Sequence, residues 1–217
     1  MHLINWKERH RRMDAALEES WREGGKDAHD PGLREQYRDI PKAPIRLIVM
    51  PLGKAINQGG MTRVADAFRL ERVDFQKEQD GAIDFAGQRG TKGWQPWRWV
   101  PVEQALKEAK AEGYTLAALT LSERSVDIET APWKFPLALV IGEEQNGIPE
   151  ALEAQCDLSV AIPLYGLVTS LNVVTATALA VHSAVRAYRQ ECPEFEPVRT
   201  MSRGLMGLDP LEFRADE

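Results

Sequence analysis

Three short stretches of this sequence set polar and cationic side chains among glycines in patterns that plain structural segments do not require. In NQGGMTR, Asn57 and Gly59 lie on a loop and Arg63 lies near the start of the following helix. The adjacent glycines let the backbone turn tightly or approach a ligand, and the guanidinium could grip a phosphate through paired hydrogen bonds. The stretch lacks the Gly-Lys-Ser/Thr ending of a P-loop, and a glycine turn with a surface arginine is the plain structural alternative. In VIGEEQNGIPEAL, Gly142 ends an apolar run, Glu143 and Glu144 follow, and NGIPE reads as a turn into a helix with Pro149 early in it. The structural alternative for Glu143 is to bind amides of a facing loop. In IPLYGLVTSLNVV, a strand ends at Pro163, Gly166 permits a turn, and Thr169 or Ser170 is the expected cap of a helix from Leu171 to Tyr188. One hydroxyl suffices for a cap, so Asn172 is surplus. A buried asparagine in a first turn needs partners, and loops bearing Asn57 or Glu143 could supply them.

The elements that would position these residues alternate. IRLIVMPL (45–52) is a continuous apolar run of the kind a strand covered on both faces needs; GMTRVADAFRL reads helical and RVDFQ extended. A helix over about 102–112 precedes YTLAALTL (114–121), and FPLALVIG (135–142) and DLSVAIPL (157–164) follow. Four or five apolar strands separated by helices predict an α/β domain with a mostly parallel sheet and helices on both faces. Ligands of such sheets collect beyond the carboxyl ends of the strands, where all three stretches fall.

The 217 residues suffice for one domain of this kind, 44–190, with a helical extension at 1–43 and a tail at 191–217. In the extension, Trp6, Met13, Leu17 and Trp21 recur at helical spacing among Lys7, Arg9, Arg11 and Arg12, an amphipathic basic helix before the turn-rich GGKDAHDPG. The tail is polar and broken by prolines, with leucines and methionines that could dock it. A charged start in place of an apolar leader, and no apolar run of about eighteen residues, point to a cytoplasmic soluble protein without membrane association. Cys156 and Cys192 make neither a disulfide framework nor a metal spacing, so no metal is expected. The net charge of −6 gives no global sign of nucleic-acid binding, although a local basic face can exist on an acidic chain.

Taken in order, N-x-G-x-x-x-R at Asn57, Gly59 and Arg63, an apolar strand ending in IGEE with a following NGIP, and IPL-x-G-x-x-x-SLNV resemble the three signature motifs of the SpoU (TrmH-like) branch of the SPOUT methyltransferases. The resemblance covers about 45–188. It implies an RNA 2′-O-ribose methyltransferase that uses S-adenosyl-L-methionine and acts on tRNA or rRNA, as a homodimer formed partly through the last helix. The compact core with short helical extensions resembles the tRNA-modifying members, so tRNA is the expected substrate and rRNA the alternative. It also implies a carboxyl-terminal trefoil knot, which periodicity cannot reveal because knots are rare exceptions to ordinary chain topology. Carried over by motif, the catalytic group is Arg63 at the target phosphate, with Asn57, Glu143, Ser170 and Asn172 holding it and the loops. The cofactor would meet largely main-chain groups at Leu119, Thr120, Leu121, Gly142, Ile162, Leu164 and Leu171. A non-catalytic RNA-binding protein of the same fold and a base-methylating enzyme are the alternatives.

Two positions depart from the family pattern: Arg69 stands where glycine is common, and Val174 replaces a small polar residue. RNA recognition would fall to Arg9, Arg11 and Arg12 of the extension and to Lys92 and Arg98 of RGTKGWQPWRW, where aromatics beside cations suit stacking and phosphate contact. For Trp94 and Trp99, packing on the core or at a dimer interface is the favoured reading.

Overall fold

The computed structural model describes residues 37–76 and 91–197. The apolar run after Pro41 forms β1 (Ala43–Val49), buried along its whole length. It is followed by α1 (Ala55–Ala67), β2 (Leu70–Phe75), a 3-10 turn (Thr91–Gly93), β3 (Trp97–Trp99) and α2 (Val102–Ala111). Next come β4 (Thr115–Leu119), β5 (Ser125–Asp127), β6 (Leu137–Ile141), α3 (Glu150–Glu153), β7 (Leu158–Ala161) and α4 (Val173–Glu191). The seven strands make one sheet in the order β3-β2-β1-β6-β4-β7-β5, and every pairing is parallel. The expectation of an α/β domain with a parallel sheet therefore holds, with two more strands than the four or five expected. The additional strands, β3 and β5, have three residues each, too few for a periodic signal.

Alternation along the strands explains the two cores. Ile45, Leu47 and Val49 point to the face covered by α1 and α4, where Met61, Val64, Ala65, Ala180, Val181 and Ala184 meet them. Ile48 and Met50 point to the other face, packed with Leu106 and Ala109 of α2 and Leu152 of α3. This second face also carries buried charge. Asp74 accepts from Arg98 Nε at 2.7 Å and lies in ion contact with Arg72, while Arg98 also reaches Glu108 of α2. Burial alone would raise the Asp74 carboxyl, but Arg72 and Arg98 outweigh it and hold the group below the ordinary carboxylate range.

Packing carries the core past both expected domain limits. Tyr37 is buried and donates to Gln95, and α4 continues to Glu191. Phe195 is buried against Tyr188 at a ring separation of 5.3 Å, so the segment just after 190 docks through an aromatic ring. The leucines and methionines expected to dock the tail lie outside the described residues, as does the amphipathic stretch 6–22. Among the described residues no helix is long and apolar enough to cross a membrane, and no cluster of His, Cys, Asp and Glu suits a metal ion.

Candidate active site

In a wholly parallel sheet all carboxyl ends share one edge, so the segments following β1, β6, β4 and β7, which are neighbours in that order, converge there. After β1 the chain enters α1 at Ala55, earlier than expected. Asn57 therefore sits in the first helical turn, not on a loop, and Gly59 and Gly60 are helical. Glycine is a poor helix former, but here it has a spatial reason: a Cβ on Gly60 would lie 2.7 Å from Val174 Cγ2 of α4. The two helices approach closely because residue 60 has no side chain. Arg63 lies two turns into α1 with its side chain exposed.

The cap of α4 differs from expectation. The helix starts at Val173, its N-cap is Asn172, and Thr169 and Ser170 lie exposed in the preceding loop. Asn172 Oδ1 accepts from the amides of Val174 at 2.9 Å and Thr175 at 3.3 Å, the ordinary work of an asparagine cap. With its oxygen so engaged, Asn172 Nδ2 donates to Asn57 Oδ1 at 3.2 Å. One side chain thus caps α4 and ties it to α1: the surplus asparagine has the Asn57 partner expected from sequence, but it is exposed, not buried, because the cap sits at the open end of the helix. The geometry leaves Asn57 Nδ2 buried without a hydrogen-bond partner, on a residue only 4% exposed, and the neighbouring Gln58 Oε1 is in the same condition. Both atoms belong to the first turn of α1, at the edge of the sheet where the three stretches meet.

After β6, Gly142 is held where only glycine fits, since a Cβ would stand 2.4 Å from the carbonyl carbon of Gly147. That closeness allows Glu143 and Gly147 to exchange backbone hydrogen bonds at 3.0 and 3.1 Å. The Glu143 carboxylate accepts from Asn146 at 2.8 Å, within its own loop and not from a facing one. Leu119 ends β4, the Thr120 amide donates to the Val160 carbonyl, and Leu121 projects 81% exposed. Ile162 leaves β7 half-buried, Leu164 is exposed and Leu171 returns to half-burial before α4. The expected cofactor residues therefore lie on the segments that follow three adjacent strands.

Exposed apolar surface collects at the same edge. Of the eight large hydrophobic residues exposed among the described residues, Leu164, Tyr165, Leu167 and Val168 are on the loop after β7, Leu121 follows β4, and Ile56 is in the first turn of α1. Such a concentration is the informative kind of exposure, since scattered apolar residues need no explanation. Apolar side chains beside exposed main-chain groups suit a flat heteroaromatic ligand.

The RNA candidates divide. Arg98 is bound to Asp74 and Glu108 on the α2 face, its side chain 16% exposed, so two carboxylates occupy the guanidinium expected to contact phosphate. Lys92 belongs to the 3-10 turn, and Arg9, Arg11 and Arg12 lie outside the described residues. Trp94 donates to Asp66 at 2.8 Å, and Trp99 packs against Phe75 and Trp97, as the core reading expected.

A seven-stranded parallel sheet covered by helices on both faces defines an α/β protein, with its candidate site at the carboxyl edge. Residues 44–182 match the SpoU rRNA Methylase family, and the chain belongs to it. It is 30% identical over 66% of its length to a tRNA (guanosine(18)-2'-O)-methyltransferase of Saccharomyces cerevisiae, matching 10% of that protein. It is 30% identical over 71% of its length to the 23S rRNA (guanosine-2'-O-)-methyltransferase RlmB of Ralstonia nicotianae, matching 63% of it. The chain thus spans less than two thirds of each of these relatives. Among solved structures, an AdoMet-bound rRNA methyltransferase from Sinorhizobium meliloti aligns with a TM-score of 0.62 at 25% identity, over 70% of this chain and 60% of that one. The Aquifex aeolicus TrmH/SpoU tRNA modifying enzyme shares the fold over 91% of both chains, with a TM-score of 0.64 at 22% identity.

Proposed function

We propose that this chain is an S-adenosyl-L-methionine-dependent RNA 2′-O-ribose methyltransferase of the cytoplasm, acting on tRNA in preference to rRNA. The observation that carries the reading is the Asn172–Asn57 hydrogen bond, which joins the helix bearing Arg63 to the loop of the third motif at the edge where the cofactor residues gather. The tRNA preference draws support from the relatives from yeast, mouse and Aquifex aeolicus, each named a tRNA (guanosine(18)-2'-O)-methyltransferase. A homodimer and the trefoil knot belong to the same proposal. Exposed Leu179 on α4 suits a dimer face that includes the last helix, and a chain path from β7 past the ends of β4 and β6 to a helix beside α1 suits the knot.

When bound, S-adenosyl-L-methionine supplies an electrophilic methyl group; Leu119, Thr120, Leu121, Gly142, Ile162, Leu164 and Leu171 would hold it. The remaining tasks fall to the chain. A ribose hydroxyl is a weak nucleophile until its proton starts to leave, and it must be held in line with the carbon it attacks. Arg63 binds the phosphate beside the target ribose and stabilises negative charge developing on the 2′-oxygen. A guanidinium stays protonated at neutral pH and is a poor base, so Arg63 works through charge stabilisation, with proton acceptance by the adjacent phosphate oxygen as the alternative. Asn57 and Asn172 fix α1 against α4 and so fix the Arg63 helix relative to the loop after β7. Glu143 shapes the loop after β6, and Ser170 stands exposed at the mouth.

The test incubates the protein with isotopically labelled S-adenosyl-L-methionine and pooled tRNA or rRNA, then digests the RNA and identifies methylated nucleosides by mass spectrometry. Label on a ribose 2′-oxygen is expected. Base-labelled product, or cofactor binding without transfer to any pool, would favour the base-methylating or the non-catalytic reading. Arg63→Ala should lower transfer by about a hundredfold or more, the usual loss for an electrostatic group acting on the transition state. Its cofactor affinity by calorimetry should be unchanged; parallel loss of both would make Arg63 structural.

A further inference from the structure

The loop after β4 is held by a set of hydrogen bonds that none of the three motifs explains. Glu153, the last residue of α3, is a buried carboxylate. Its Oε1 accepts from Ser122 Oγ at 2.5 Å and from Ser159 Oγ at 2.6 Å. Ser159 lies within β7 opposite Ala118 of β4, whereas Ser122 lies in the loop itself. The loop is then tied to itself: the Ser122 amide donates to Ser125 Oγ at 3.1 Å, and Ser125 Oγ donates to the Thr120 carbonyl at 2.7 Å. Arg124 adds longer bonds to the carbonyls of Glu153 at 3.4 Å and Cys156 at 3.5 Å. Leu121 is carried at the tip of this braced turn, exposed beside the edge occupied by Gly142 and Ile162.

The Ser122 and Ser159 hydroxyls hold the Glu153 carboxyl below its ordinary range, outweighing the burial that would raise it. What the carboxylate supplies that leucine would not is a fixed hydrogen-bonded geometry for residues 120–125. We infer that Glu153 is a positioning residue for the cofactor site, bracing through Ser122 and Ser159 the lip formed by Thr120 and Leu121. The inference rests on the proposed cofactor reading and adds to it a residue outside the three motifs.

The test compares Glu153→Leu with Glu153→Gln, which keeps an acceptor oxygen at the same reach. Two readouts are taken on the full chain: calorimetric affinity for S-adenosyl-L-methionine and its demethylated product, and hydrogen exchange of the amides in 120–125. Glu153→Leu is expected to weaken cofactor binding by up to about tenfold, the worth of one well-made hydrogen bond, and to speed exchange in the loop. Glu153→Gln should restore most of both. If leucine lowers only the melting temperature while affinity and loop exchange stay at wild-type values, the inference is overturned and the cofactor reading stands. If the unmutated protein itself does not bind the cofactor, both fall together. Should Glu153→Leu fail to fold, Ser122→Ala removes one bond from the loop side alone. An intermediate loss of affinity then supports the inference, and unchanged affinity overturns it.

Discussion

Arg69 occupies backbone that side chains other than glycine adopt reluctantly, with φ at +50° in the turn between α1 and β2. A residue with a Cβ in the left-handed region costs about 1–2 kcal/mol, which explains why glycine is common here in the family pattern. The compensation is visible in the side chain. Its guanidinium lies 4.1 Å over the Phe195 ring and donates to the Glu196 carbonyl, fastening the segment after α4 to the turn. Two substitutions separate strain from contact. Arg69→Ala keeps the strain and loses the contact, so it should destabilise by about 1–2 kcal/mol. Arg69→Gly loses the contact but relieves the strain, and its urea midpoint should fall between alanine and wild type; a glycine variant no more stable than alanine would remove the strain argument. From sequence the departure was legible as a departure. Its reason was not, because Phe195 is 126 residues away and nothing local pairs the two.

At the scale of elements, the positions of the long strands and helices were legible because continuous apolar runs and amphipathic stretches report burial directly. The start of α1 was not, since two consecutive glycines are a loop signal by propensity and only contact with α4 accounts for them in a helix. Asn172 shows the same limit. Three residues near the start of α4 could cap it, and which one does depends on the bond to Asn57 across the chain. The α1–α4 contact also accounts for Val174, whose branched side chain fills the space above Gly60. Gly60→Ala gains up to about 1 kcal/mol of helix propensity but drives a Cβ into a stiff valine, which costs about 1–3 kcal/mol. The net expectation is a lower melting temperature, with stability regained in Gly60→Ala/Val174→Ala. Additive losses in the double variant would mean that the two side chains do not meet. Because the same contact sets the Arg63 helix against the loop after β7, the single variant should also lose transfer activity that the double variant recovers.

Across the whole molecule the two ends of the sheet differ in chemistry. The carboxyl edge carries the candidate site, whereas at the amino end Lys42 is buried just before β1, its ammonium 3.5 Å from the centre of the Tyr37 ring and bonded to the Tyr37 and Ile40 carbonyls. Burial, aided by Arg69, pulls Lys42 down to about 7, against a partial opposing pull from Asp66 and Asp39. The sign of the consequence follows from proton counting. Above pH 7 and below the ordinary lysine value of about 10.4, the unfolded chain holds a proton that the folded chain has released, so stability rises with pH. Below pH 7 both states are protonated and the burial cost of the charge is present in full. The slope from this one group approaches about 1.4 kcal/mol per pH unit. Burial raises the Cys156 thiol to about 11, and that group opposes the trend only as pH climbs past the ordinary thiol value. Between pH 7 and about 8.5 the Lys42 contribution is therefore cleanest. Urea midpoints of wild type should increase across that window, and those of Lys42→Met should stay nearly flat. Equal slopes in the two proteins would mean that Lys42 keeps its proton in the fold and that Tyr37 and the two carbonyls suffice to hold it.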